Sequence, residues 1–294
     1  MSSYTARFTK NSSHFVYWDQ SQILSFTTSQ KRRSQRISPS LSRQQTIKKT
    51  TLTPNGNFVI YHLANNETGA LEGIYRVSIG GGSATSLVLP TRGKNIIDTF
   101  AISPDSSTLV FTFGDRNYHN YLQIHAVPVS GGTIKRLSPP PIESVVCNTH
   151  FTISPDSRHV VYVTIKHDQR GKSYNARQIY SVPITGGQSV RLNAPLTSGG
   201  IVLHNDTPGL QISPNSSRVV YVASQERAGA FEMYSVPIEG GTPVKVNGTL
   251  PSGSTGFGNR FAIAPGKTIF TEGGSRVVYT LIQGQESGKA IYMH

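Results

Sequence analysis

The stretch Ile212 to Val246, ISPNSSRVVYVASQERAGAFEMYSVPIEGGTPVKV, is written several times over along this chain, and nothing else in the sequence restricts the fold so tightly. Copies run from Ile153 to Leu192, Ile102 to Leu137 and Leu52 to Val88. The turn prolines Pro54, Pro104, Pro155, Pro214 and Pro265 lie 50, 51, 59 and 51 residues apart. Each copy reads as a lead-in strand, a Ser-Pro or Thr-Pro turn followed by Asp or Asn, an alternating apolar strand, a polar loop, a third strand, a Gly-Gly turn and a short fourth strand. Self-similarity at a period near fifty, with strand content throughout, points to a propeller in which each copy is one blade. The expected fold is therefore all-β, a β-propeller of four-stranded antiparallel blades. A β-sandwich would supply the same turns but has no cause to repeat whole four-strand units.

The repeated positions have backbone reasons. Proline presets φ at the first corner of a β-turn, and the following Asp105, Asp156, Asn55 or Asn215 can bond the backbone two residues on. The pairs Gly81-Gly82, Gly131-Gly132, Gly186-Gly187 and Gly240-Gly241 supply the positive φ of a tight hairpin. Runs such as Val160-Val161-Tyr162-Val163 and Val219-Val220-Tyr221-Val222 are β-branched and aromatic without a helical period.

These residues resemble the TolB-like, or WD40-like (PD40), propeller repeat family. Its pattern is met by Ser154-Pro155-Asp156, Val161-Tyr162, Ile179-Tyr180-Ser181-Val182, Gly186-Gly187 and Leu192, and the resemblance covers nearly the whole chain. It implies the fold sharply and the activity poorly. The family includes periplasmic interaction scaffolds, lid propellers of prolyl-oligopeptidase-type enzymes and secreted bacterial proteins.

The 294 residues hold 28 Gly, 17 Pro and only 15% charged residues, the composition of a turn-dense β protein. A lone cysteine, Cys147, excludes an internal disulfide and is expected in a strand as a small apolar residue. The opening segment has no apolar leader core, and no stretch approaches the roughly 18 apolar residues that span a bilayer. A soluble chain without a signal peptide or transmembrane segment is expected. The resemblance implies a periplasmic or secreted setting, with a cytoplasmic one otherwise.

Net charge is +13, of which residues 1–50 carry +8 with Asp19 as their single acid. Lys31, Arg32, Arg33, Arg36, Arg43, Lys48 and Lys49 could hold phosphates or an acidic partner. No aromatic side chain interleaves this run to stack bases, so a solvated strand face is the expected role and nucleic acid is not the expected partner.

A single domain over 1–294 is expected, with a partial blade at 1–47, blades at 48–90, 96–138, 146–193 and 208–247, and a partial blade at 257–294. The first unit is read as lacking its first strand and the last as lacking its fourth. Six units are detectable, while a five-bladed ring or an arc of a longer propeller stays open.

No G-x-S-x-G elbow occurs. Gly171-Lys172-Ser173 and Gly266-Lys267-Thr268 lack the upstream glycine of a phosphate loop. The histidines show no H-E-x-x-H spacing, Asn65 to Gly69 reads as a hairpin rather than a calcium loop, and no cofactor is expected. The better candidates line the first strands, which face the axis of a propeller. Alignment on the turn hydroxyl places Lys49, Thr99, His150, Gly209 and Arg260 at one repeat position, with Lys48, Asp98, Thr149, Pro208 and Asn259 just before it. Lys49, Asp98, His150, Asn259 and Arg260 are the candidate channel-mouth residues, suited to an acidic peptide end or a small anionic ligand. The functional expectation is a non-catalytic scaffold binding a protein or peptide through inter-blade loops and channel mouth. The alternative is a carbohydrate-active or peptidase-associated propeller, a lyase or the lid of a separate hydrolase.

Overall fold

The computed structural model describes residues 5–10, 13–28, 34–90, 99–114, 122–139, 145–167, 173–203 and 210–247, and the strand segments 261–263, 269–270, 277–283 and 290–293. Residues 145–150, 165–167 and 173–176 and the last four segments are described by their backbone. Contacts divide the chain into two compact units, Met1–Arg136 and Leu137–His294.

Strands fill the described residues of both units, in six four-stranded antiparallel sheets. In the first unit, sheet I holds β1 (Thr5–Phe8), β2 (His14–Trp18), β3 (Ile23–Thr27) and β4 (Ser34–Arg36). Sheet II holds β5 (Gln45–Leu52), β6 (Phe58–Asn65), β7 (Leu71–Ser78) and β8 (Thr85–Val88); sheet III holds β9 (Phe100–Ile102), β10 (Thr108–Phe113), β11 (Gln123–Pro128) and β12 (Lys135–Arg136). In the second unit, sheet IV holds β13 (Val145–Ile153), β14 (His159–His167), β15 (Ser173–Pro183) and β16 (Val190–Arg191). Sheet V holds β17 (Leu210–Ile212), β18 (Arg218–Ala223), β19 (Glu232–Pro237) and β20 (Val244–Lys245). Sheets I to V are simple meanders.

Sheet VI departs from them. Here β21 (Phe261–Ile263) and β22 (Ile269–Phe270) both pair with one edge of β23 (Val277–Gln283), and β24 (Ala290–Met293) pairs with the other.

The first unit corrects the sequence reading, because its first strand is present. β1 runs antiparallel to β2 from Thr5↔Trp18 to Phe8↔Phe15. Thr9 supplies the turn hydroxyl, accepting the His14 N–H at 3.0 Å as Ser213 accepts that of Arg218 at 2.9 Å. Lys10 stands where the other turns carry proline, and that hid the match.

The turn between first and second strands is built alike in each full copy. Ser103, Ser154, Ser213 and Thr53 donate their hydroxyl to the Asp or Asn two residues on. That carboxylate or amide oxygen accepts the N–H two residues further, at 3.0 to 3.1 Å. Ser106, Ser157 and Ser216 hold φ of 67°, 65° and 61°, a conformation that costs a non-glycine residue about 1 kcal/mol or more. Two of them repay it across sheets: Ser106 Oγ accepts the Asn55 N–H, and Ser216 Oγ accepts the Asp156 N–H, both at 2.9 Å.

Strand alternation turns apolar side chains to the faces of sheets I to V, and within each unit the core forms where neighbouring sheets meet face to face. Val16, Trp18 and Ile23 of sheet I pack with Val59, Tyr61 and Leu63 of sheet II. Ile60 and Ile74 on the other face of sheet II pack with Phe100, Leu109 and Phe111 of sheet III. In the second unit Val161, Val163 and Ile179 of sheet IV pack with Val219, Tyr221 and Val236 of sheet V. Equivalent central strands carry stacked cross-strand rings, Tyr61 on Tyr75, Phe111 on His125, Tyr162 on Tyr180 and Tyr221 on Tyr234, with centroids 5.5 to 5.7 Å apart. Such pairs add about 0.5 to 1.5 kcal/mol beyond the area they bury.

Candidate functional site

Two first strands long enough to show it carry an irregularity at the same repeat position. In β5 the register passes from Ile47↔Leu63 to Lys49↔His62, leaving Lys48 as the extra residue. In β13 it passes from Cys147↔Thr164 to Phe151↔Tyr162, so that residues 148–150 face a single partner position. A bulge re-aims side chains and interrupts pairing, and such features gather beside functional sites. These bulges hold Lys48 and Lys49 in one unit and the equivalent Thr149 and His150 in the other.

On β5 the ammonium of Lys49 lies 4.5 Å from the centre of the Phe100 ring and donates to the Phe100 carbonyl at 3.2 Å. It therefore ties the first strand of sheet II to the first strand of sheet III. Lys48 is exposed. Next to Lys49 in the ladder, His62 is pushed down to about 4 by burial, then by the charges of Lys49 and Lys48. The imidazole is neutral at physiological pH, and its buried Nε2 has no hydrogen-bond partner among the described residues. Two cations beside a neutral ring make this a positive surface.

Of the other sequence candidates, His150 lies on the backbone of β13, while Asp98, Asn259 and Arg260 lie outside the described residues. Thr99 leads into β9, where it exchanges hydrogen bonds with Thr112: its N–H donates to Oγ1 at 3.1 Å and its carbonyl accepts the Thr112 N–H at 2.9 Å. Cys147 also falls on β13. The sequence reading missed the bulge.

The second polar cluster is spent internally. Lys245 bridges Glu226 at 2.7 Å and Glu232 at 2.9 Å, and the Tyr234 hydroxyl donates to both carboxylates. In the 65–69 hairpin Asn65 Oδ1 accepts the N–H groups of Glu67 and Thr68, so that oxygen closes the turn. Among the described residues no group of three or more His, Cys, Asp or Glu could hold a metal ion, and no helix is long and apolar enough to cross a membrane.

No family model matches the chain, and no curated protein matches it in sequence. Solved structures do match. Porphyromonas gingivalis dipeptidyl peptidase 4 aligns at a TM-score of 0.61 and 12% identity, over 98% of this chain and 44% of that one. An oligogalacturonate lyase in complex with manganese aligns at 0.55 and 15% identity, over 98% of this chain and 75% of that one. TolB from Acinetobacter baumannii, at 16% identity over 98% of this chain and 62% of that one, reaches only 0.39, too loose to carry an argument. At these identities the likeness speaks for the fold alone, which is all-β and propeller-like.

Proposed function

We propose that the chain is one six-bladed propeller of the TolB-like type, a non-catalytic scaffold that grips an acidic protein or peptide segment. Inter-blade loops and the first strands form the contact surface, with Lys49, Asp98, His150, Asn259 and Arg260 contributing at the channel mouth. The TolB-like assignment rests on the repeated motif. The observation that carries the binding role is the pair of bulges at one repeat position, on β5 and β13. A bulge re-aims the side chains beside it, here Lys48 and Lys49 on β5. Lys48 and Lys49 supply the charge that an acidic segment needs for fast, oriented encounter.

Fluorescence anisotropy with a labelled Glu-rich peptide and a neutral peptide of equal length tests the reading. At low salt the acidic peptide should bind more tightly, and the double variant Lys48→Glu, Lys49→Glu should weaken it about tenfold or more. Equal affinity for both peptides, or an unchanged affinity in the variant, would overturn it.

A further inference from the structure

Among the four full copies of the Ser/Thr-Pro turn, only the first places asparagine directly before glycine, at Asn55-Gly56; the matching pairs are Asp105-Ser106, Asp156-Ser157 and Asn215-Ser216. Asparagine before glycine is the pairing most prone to lose its side-chain amide, because glycine offers no side chain to hinder attack by its own backbone nitrogen. Gly56 N attacks Asn55 Cγ, the Gly56 proton and the side-chain nitrogen leave as ammonia, and a five-membered succinimide forms. Water then opens the ring. Addition at the side-chain carbonyl gives aspartate, and addition at the main-chain carbonyl gives isoaspartate, whose backbone is longer by one carbon. No oxidant or reductant takes part.

The closed turn restrains that path. Gly56 N–H is committed to the Thr53 carbonyl at 2.8 Å. Asn55 Oδ1 accepts the Thr53 hydroxyl at 2.7 Å and the Asn57 N–H at 3.0 Å, which holds the side-chain amide within the turn. The main chain of Asn55 is held as well, its N–H donating to Ser106 Oγ of the neighbouring sheet at 2.9 Å. Attack needs the Gly56 N–H freed from Thr53, and turning Cγ onto that nitrogen works against the bonds that hold Asn55 in place.

We infer that Asn55 is a latent modification site, silent in the closed turn and deamidated only when the Thr53 to Phe58 turn opens, with two products of opposite consequence. Aspartate at 55 reproduces what the fold already uses at Asp105 and Asp156, where the carboxylate accepts the same hydroxyl and the same N–H. The bonds at Asn55 use only its oxygen, so that replacement loses none of them. Isoaspartate displaces the N–H from Ser106 and cannot keep the clip between sheets II and III.

Incubation of the full chain at mildly alkaline pH, with peptide mapping by mass spectrometry, tests this in buffer and in denaturing urea. Conversion at Asn55 should be at least about tenfold slower in the folded chain than in the unfolded one. Ser106→Ala, which removes the clip, should speed conversion in buffer and leave the urea rate unchanged. Asn55→Asp should fold and melt as the parent does, whereas chains purified with isoaspartate at 55 should melt earlier. Equal rates in buffer and urea, or an Asn55→Asp variant as unstable as the isoaspartate form, would overturn the inference. The second Asn-Gly pair, Asn247-Gly248, is read separately in the same map.

Discussion

Tyr61 and Tyr221 occupy equivalent places on the second strands of their sheets, and both are fully buried. Their hydroxyls differ. Tyr221 donates to Gln225 Oε1 at 3.0 Å, while Tyr61 OH has no hydrogen-bond partner among the described residues and burial pushes its pKa up to about 12. A buried hydroxyl without a partner costs about 1 to 3 kcal/mol, so Tyr61→Phe should be neutral or stabilising by about 1 kcal/mol in urea denaturation. Tyr221→Phe should lose about 1 kcal/mol, since it strands Gln225 as well. The serines at positive φ give a second comparison. Ser216→Ala keeps the backbone strain and loses the bond from Asp156, whereas Ser216→Gly loses the bond but relieves the strain, so the glycine variant should be the more stable by about 1 kcal/mol. His62 sets a pH dependence. Its folded pKa of about 4 lies below its ordinary 6.5, so above pH 6.5 it contributes nothing. As pH falls from 6.5 toward 4 the unfolded chain takes up a proton that folded His62 refuses, and stability drops by at most about 3 kcal/mol, less what solvent screening removes. Urea midpoints at pH 7 and pH 4.5 should separate more in the parent than in His62→Gln; equal separation would remove His62 from the account.

At the scale of the hairpin, the paired glycines do more than turn the chain. A Cβ at Gly240 would stand 2.5 Å from Val190 Cγ1 of the preceding sheet's outer strand, and one at Gly81 would strike Gln35, the residue equivalent to Val190. Gly131, at φ 91°, has open space around the same atom. Gly131→Ala should therefore cost about 1 kcal/mol from backbone strain alone, and Gly240→Ala clearly more. Adding Val190→Ala should recover part of the Gly240→Ala loss and nothing of the Gly131→Ala loss, as a double-mutant cycle would show. This packing was invisible in the sequence, where Gly-Gly announces a hairpin but not what lies over it. The turns, the strand order of sheets II to V and the alternation of core positions were legible, because each follows from bonds within a few residues. β1 was not: Lys10 replaces the proline, and Ala6, Arg7 and Phe8 lack the apolar alternation of a buried strand. The bulge at Lys48 was equally hidden, since a register shift depends on what the partner strand offers and not on the strand that bulges.

For the whole molecule, the physical theme is one four-stranded unit used repeatedly, with hydrophobic faces mated sheet to sheet within each unit and polar turns locked by side-chain oxygens. What the turns and cores do not use is the exposed charge of Lys48 beside an interrupted ladder, next to Lys49, which also ties sheet II to sheet III. That surplus is what the proposed scaffold presents to an acidic partner. Hydrogen–deuterium exchange of the full chain with and without a Glu-rich peptide tests this most directly. Binding should slow exchange across β5 and β13 and leave the Gly-Gly hairpins unchanged. Slowed exchange confined to the hairpins, or none at β5 and β13 under saturating peptide, would contradict it.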